Sequence, residues 1–141
     1  QPMTTLDRGT YLVTVNATVG GTARTFRWQF RTGTPLPTDL ACDPAHHDIA
    51  GAIPVAGGES PGKVCGQPMV YLIGGTGTRT VTLSYDFAGG DLDMEHLDAG
   101  GARQGLSDGQ TDTERLSVPA GGYVRVFGFN GAMGAFVLRV Q

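Results

Sequence analysis

Apolar and polar residues alternate in short runs along most of this chain, and glycine, aspartate, asparagine or proline separates the runs. In residues 78–87, Val81, Leu83, Tyr85 and Phe87 fall on one register and Thr80, Thr82, Ser84 and Asp86 on the other. A period of two is that of a strand with one buried face. The same alternation marks residues 11–17 and 25–32, where Phe26, Trp28 and Phe30 oppose Arg27, Gln29 and Arg31. Gly20-Gly21 between those two runs predicts a hairpin. Met69–Ile73 is apolar throughout, which predicts a strand covered on both sides. Leu92–Leu97 and residues 115–118, 123–129 and 135–140 read as further strands, with Asn130-Gly131 predicting a hairpin turn between the last two. Residues 49–55 predict one more strand in the otherwise irregular stretch 38–67. No helix is predicted. Short strands at regular spacing with turn residues between them specify an all-β fold, an antiparallel β-sandwich of about seven or eight strands preceded by the N-terminal β-hairpin.

The pattern also divides the chain. Residues 33–37 read G-T-P-L-P, and the two prolines favour a stiff extended connection. The expected organisation is a hairpin over residues 1–34, a linker over 35–38 and a sandwich over 39–141. An isolated two-stranded hairpin is marginal in water, so it predicts further strands upstream in the same polypeptide or docking onto the following domain. The beginning at Gln1, with no secretory leader in view, reads as a processed chain or an excised segment.

Composition narrows the function classes. The 141 residues suffice for a sizeable core, and the 23 glycines follow no three-residue period. Nine of the ten basic residues are arginine, and the net charge is −3, which argues against a nucleic-acid partner. No run of 18 apolar residues exists, so no membrane insertion is expected. Cys42 and Cys65 lie outside any C-x-x-C motif; an even count of this kind suits a disulfide in an oxidising compartment, the other reading being two unrelated thiols.

Candidate chemistry is sparse. Asp91 and Asp93 share a register, and Asp86, Asp98, Asp108, Asp112 and Glu114 fall in nearby turns. Asp91, Asp93, Asp112 and Glu114 form a candidate calcium set, since clustered oxygens suit that ion, although no twelve-residue EF-hand loop is present. The other reading has these acids capping turns. No other cofactor is indicated. His46, His47 and His96 fit no zinc spacing, and the serines lie in no nucleophile elbow, so no catalytic residue is assigned. Tyr123, Arg125, Phe127 and Phe129 share one register of their strand, and Val124 and Val126 the other. Both registers are apolar enough to face a core. Arg125, Phe127 and Phe129 are the candidate binding surface.

Several of these segments together resemble the bacterial pre-peptidase C-terminal (PPC) domain, a group that includes the collagen-binding domains of clostridial collagenases. The matching features are Tyr71 in the first core strand, G-D-L-D at Gly90–Asp93 and the S-x6-E spacing of Ser107 and Glu114. A-G-G-Y-V-R-V at Ala120–Val126 and F-V-L-R-V at Phe136–Val140 complete them. The Y-x-V-x-V-x-A and F-x-W-x-F-x-T runs resemble the last two strands of a bacterial immunoglobulin-like module. The resemblance implies a jelly-roll-like sandwich serving as a non-catalytic accessory domain of a secreted or cell-surface bacterial protein, often an exported protease. Such a domain binds a polymer outside the cell, a protein fibre or a polysaccharide, or aids secretion and maturation; the alternative is a structural spacer or adhesin module. The family's acidic-Asn segment before the first strand, a calcium site in the collagen-binding members, is replaced here by T-D-L-A-C-D-P-A-H-H-D.

Overall fold

The structure, a computed structural model, describes residues 9–32 and 36–141. The side chains of residues 9–11, 19 and 28–32 lie outside that description, as do residues 33–35, which include the first residue of the linker expected over 35–38. The chain divides into two units, Gln1–Pro35 and Leu36–Gln141.

In the first unit, β1 (Gly9–Val19) and β2 (Thr22–Thr32) pair antiparallel in unbroken register, from Gly9 opposite Thr32 to Val19 opposite Thr22. The turn is Gly20-Gly21, with φ of 58° and 78°. A two-residue turn of this hand needs both central residues at positive φ, which glycine alone reaches without penalty. Val15 and Phe26 face each other across the pair and are exposed, as is Leu12 on the other side. The aromatic face expected from Phe26, Trp28 and Phe30 is described only at Phe26.

The second unit is a β-sandwich of nine strands. One sheet has the order β3-β5-β10-β7-β8 and the other β4-β11-β6-β9. In chain order these are β3 (Ile53–Val55), β4 (Gly58–Val64), β5 (Met69–Ile73), β6 (Thr78–Tyr85), β7 (Leu92–Leu97), β8 (Arg103–Ser107), β9 (Thr113–Pro119), β10 (Tyr123–Gly128) and β11 (Gly134–Val140). Single 3-10 turns occupy Phe87–Gly89 and Phe129–Gly131. All ladders are antiparallel except β3 with β5, which is parallel. The core lies between the sheets and holds Tyr71, Ile73, Leu92, Met94, Val124 and Val126 from one side. Val81, Leu83, Tyr85, Phe136 and Leu138 meet them from the other. Tyr71 and Phe136 meet edge to face with ring centroids 6.1 Å apart. Gly62, opposite Phe136 in the ladder, leaves the space that the Phe136 ring and the Tyr71 hydroxyl fill. Gly62→Val overpacks this point and is expected to cost about 1–3 kcal/mol of stability in denaturant titration.

Four expectations change. The strand expected over residues 49–55 begins only at Ile53, because Ala52 N–H donates to the Ile49 carbonyl in a turn. β4 and β8 were absent from the hydrophobic pattern. Both are edge strands, where proline and polar residues are tolerated, and β4 carries Pro61 opposite Val137. Asn130 and Gly131 adopt the positive φ values expected of an Asn-Gly turn, 49° and 80°, but the strands they join do not pair. β10 lies between β5 and β7, and β11 lies between β4 and β6 in the opposite sheet, so the turn carries the chain across the sandwich. Asp91, finally, stands in the connection before β7 rather than in the strand with Asp93.

Met69–Ile73 is a covered strand. Val70 shares the outward register of its partner Arg125 yet is 1% exposed. The preceding irregular segment is fastened alongside: Val70 N–H donates to the His46 carbonyl, His47 Nδ1 bonds the Pro68 carbonyl at 2.9 Å, and Lys63 Nζ donates to the Leu40 carbonyl. Cys42 and Cys65 are disulfide-bonded with Cα atoms 5.8 Å apart. An open hollow of about 240 Å³ beside the bridge is lined by Asp43, His47, Lys63 and Gln67 among others. No described helix is long and apolar enough to cross a membrane.

Candidate functional site

The register of β10 decides which side chains this sandwich presents. Val124 and Val126 are fully buried between the sheets, so Tyr123, Arg125 and Phe127 stand on the outer face, each partly exposed. β10 is the middle strand of its sheet, flanked by β5 and β7. The Arg125 guanidinium sits 5.8 Å from the centroid of the Phe127 ring, a cation–π distance. Phe129 belongs to the 3-10 turn beyond the strand and is 52% exposed; Met133, farther along, is 59% exposed.

Glu95 of β7 lies opposite Arg125 in the ladder and forms an ion pair with it. Arg103 of β8 reaches the same carboxylate at 4.0 Å. Glu95 is 3% exposed, whereas the Arg125 side chain is 43% exposed, so the acid is the desolvated partner. Removing Arg125 leaves that carboxylate buried and poorly paired. Arg125→Met is therefore expected to lower stability by about 1–3 kcal/mol, and Arg103→Met by less than about 0.5 kcal/mol, by thermal or denaturant unfolding. Glu95 and Arg103 were not singled out from the sequence. The available signal was an acid alternating with Asp93 on the register that meets Arg125 across the ladder.

A second arrangement gathers at the end of the sandwich where β6, β8 and β10 finish and β7, β9 and β11 begin. Asp93 and Glu114 are buried there. Ser107 Oγ donates to Glu114 Oε2 across the gap between β8 and β9, which accounts for the S-x6-E spacing, and Arg115 N–H donates to the same Ser107 oxygen at 3.2 Å. Tyr85 donates its hydroxyl to Asp91 Oδ1 at 3.1 Å; burial, this bond and the nearby acids hold its proton firmly above the usual tyrosine range. Of the calcium candidates, Asp91, Asp93 and Glu114 share this end, while Asp112 accepts the Phe87 N–H at 2.9 Å. Among the described residues no group of three or more His, Cys, Asp or Glu side chains is placed to hold a metal ion.

Other acids cap turns. Asp98 accepts the N–H groups of Gly100 and Ala102, each at 2.9 Å, and the Gln104 amide; the backbone bonds hold its carboxyl below the usual range. Asp43 accepts the Ala45 N–H, and Asp48 the Gly51 N–H. His46 bonds the Gly51 carbonyl through Nδ1 and lies 3.3 Å from Asp43 through Nε2.

No family model matches this sequence, and no curated protein matches it. Among solved structures the sandwich is similar to the pre-peptidase C-terminal domain of collagenase from Bacillus anthracis. The two share a TM-score of 0.53 and 12% identity, over 64% of this chain and 94% of that one. The fold is PPC-like. Its architecture sets β10 in the middle of one sheet and turns Tyr123, Arg125 and Phe127 outward.

Proposed function

We propose that this chain is a non-catalytic accessory module of an exported bacterial hydrolase or protease, and that it holds a polymeric substrate on the outer face of the sheet centred on β10. The observation that carries this reading is the row Tyr123, Arg125 and Phe127, partly exposed on the middle strand of a sheet whose other face is core. Aromatic and arginine side chains on a firm scaffold are the residue types that dominate binding surfaces. The PPC-like fold supports the accessory role, since the similar solved domain belongs to a collagenase. The disulfide supports an oxidising location.

Co-sedimentation with insoluble protein fibres and insoluble polysaccharides tests it. Phe127→Ala and Tyr123→Ala are expected to weaken binding at least about tenfold, the loss typical of a central anchor. Arg125 is a poorer probe, because its removal also strands Glu95. A module that sediments with none of these polymers, or binds equally well without both aromatic rings, is a spacer or adhesin segment instead.

A further inference from the structure

Charge is unevenly spread over the outer face of the sheet centred on β10. Across its middle the ladders set Val70 of β5, Arg125 of β10, Glu95 of β7 and Leu106 of β8 side by side. Two guanidinium groups converge on the one carboxylate of that row. Arg125 pairs with Glu95 directly, whereas Arg103 approaches it only to 4.0 Å, beyond hydrogen-bond range. Glu95 is 3% exposed, while the Arg103 and Arg125 side chains are 60% and 43% exposed. The acid is therefore covered, and solvent meets the two cations. The other acids around this face are placed differently. Asp98, in the β7–β8 turn, accepts the Gly100 and Ala102 N–H groups and the Gln104 amide. Asp93, opposite Phe127, is buried, and Asp108 follows β8 at that same end.

This face offers a ligand side chains and no main chain. β10 is paired on both sides from Tyr123 to Val126, so an extended peptide cannot add to it as a strand. What a ligand meets is the rings of Tyr123 and Phe127 and the guanidinium groups of Arg103 and Arg125. An aromatic ring suits a flat apolar surface, such as the C–H face of a pyranose. A guanidinium fork matches a planar carboxylate through two parallel hydrogen bonds. Rings and forks on one face fit a sugar that carries a carboxylate. We propose that the polymer held here is a polysaccharide of uronate residues, and that Arg103 selects for its carboxylates. Arg125 adds to the attraction, but its own fork is already engaged by Glu95. This inference rests on the polymer-binding reading above and narrows it to one class of polymer.

Affinity electrophoresis through gels carrying sodium polygalacturonate, or the same polymer fully methyl-esterified, tests it, because esterification removes the charge and keeps the backbone. At low salt the wild type is expected to bind the acid form at least about fivefold more tightly than the ester. Arg103→Met is expected to cut that preference by more than about half, and because Arg103 adds little to stability the variant keeps its fold, which a thermal melt checks. Should it not fold, the wild-type comparison of the two polymers still decides. A smaller preference in wild type, or one that a folded Arg103→Met leaves standing, overturns the proposal. Polyglutamate bound as tightly as polygalacturonate, with the same dependence on Arg103, makes the ligand an acidic peptide and overturns it too. The two readings fail separately. If Phe127→Ala and Tyr123→Ala weaken binding to the ester or to the insoluble polymers, while the acid form gains nothing over the ester, the accessory role stands and the uronate falls. If no polymer binds, both fall.

Discussion

Phe136→Ala is expected to lower the unfolding free energy of the sandwich by about 3–5 kcal/mol, the range for a fully buried aromatic ring. Phe136 is 0% exposed, meets Tyr71 edge to face, and fills the room left by Gly62 across the ladder. The substitution therefore removes buried area and opens a void between the two sheets at once. A flexible neighbour could relax into such a void, but the atoms around this one belong to Tyr71 on β5 and to the backbone of β4, both fixed by their ladders. A fall of at least about 10 °C in melting temperature is the corresponding thermal readout. A loss below about 1 kcal/mol contradicts the placement of Phe136 at the junction of the sheets.

Breaking the Cys42–Cys65 bridge is the next largest effect. Closing a loop over a sequence separation of 23 restricts the unfolded chain, and the entropy model gives about 3 kcal/mol at room temperature. The double variant Cys42→Ser/Cys65→Ser, or the reduced protein, is expected to unfold at lower denaturant with a larger slope, because an unbridged unfolded chain exposes more surface. The bridge also fastens the segment beside β5. Reduction is therefore expected to raise amide exchange at Val70, whose N–H bonds the His46 carbonyl, more than at Met94 in the centre of its sheet. Intact mass before and after reduction checks the bond itself: a mass that does not rise by two hydrogens rules it out.

Strands with one buried face were legible because alternation is a direct imprint of the pleat, and β6, β7 and β11 were read within two residues of their observed ends; β5 was legible instead as a short continuous apolar run. Edge strands leave a weaker imprint. β4, G-E-S-P-G-K-V, is held by its ladder to β11 rather than by its own apolar residues, so it looks like a loop. Asn130-Gly131 shows the opposite limit. Local turn chemistry fixed the backbone angles, yet which strands pair is settled by distant partners, and here the turn bridges two sheets. The outward register of β10 had the same cause. Tyr123, Phe127, Val124 and Val126 are all apolar enough to be core, and only the packing of Val124 and Val126 against the opposite sheet breaks the tie. At the acidic end, spacing brought Ser107 and Glu114 together, whereas the diversion of Asp112 to the Phe87 amide depends on a loop path that no pattern encodes.

The order of strands has a kinetic consequence. Within the sandwich only β7 and β8 are both consecutive and paired; every other ladder joins strands separated by at least one other. Such a topology closes large loops before it gains contacts, which places it among slow folders. β11, the last strand of the sandwich in chain order, lies inside its sheet between β4 and β6. During synthesis, then, the four-stranded sheet stays in two pieces until Val140 has cleared the ribosome, and the core remains incomplete for that whole interval.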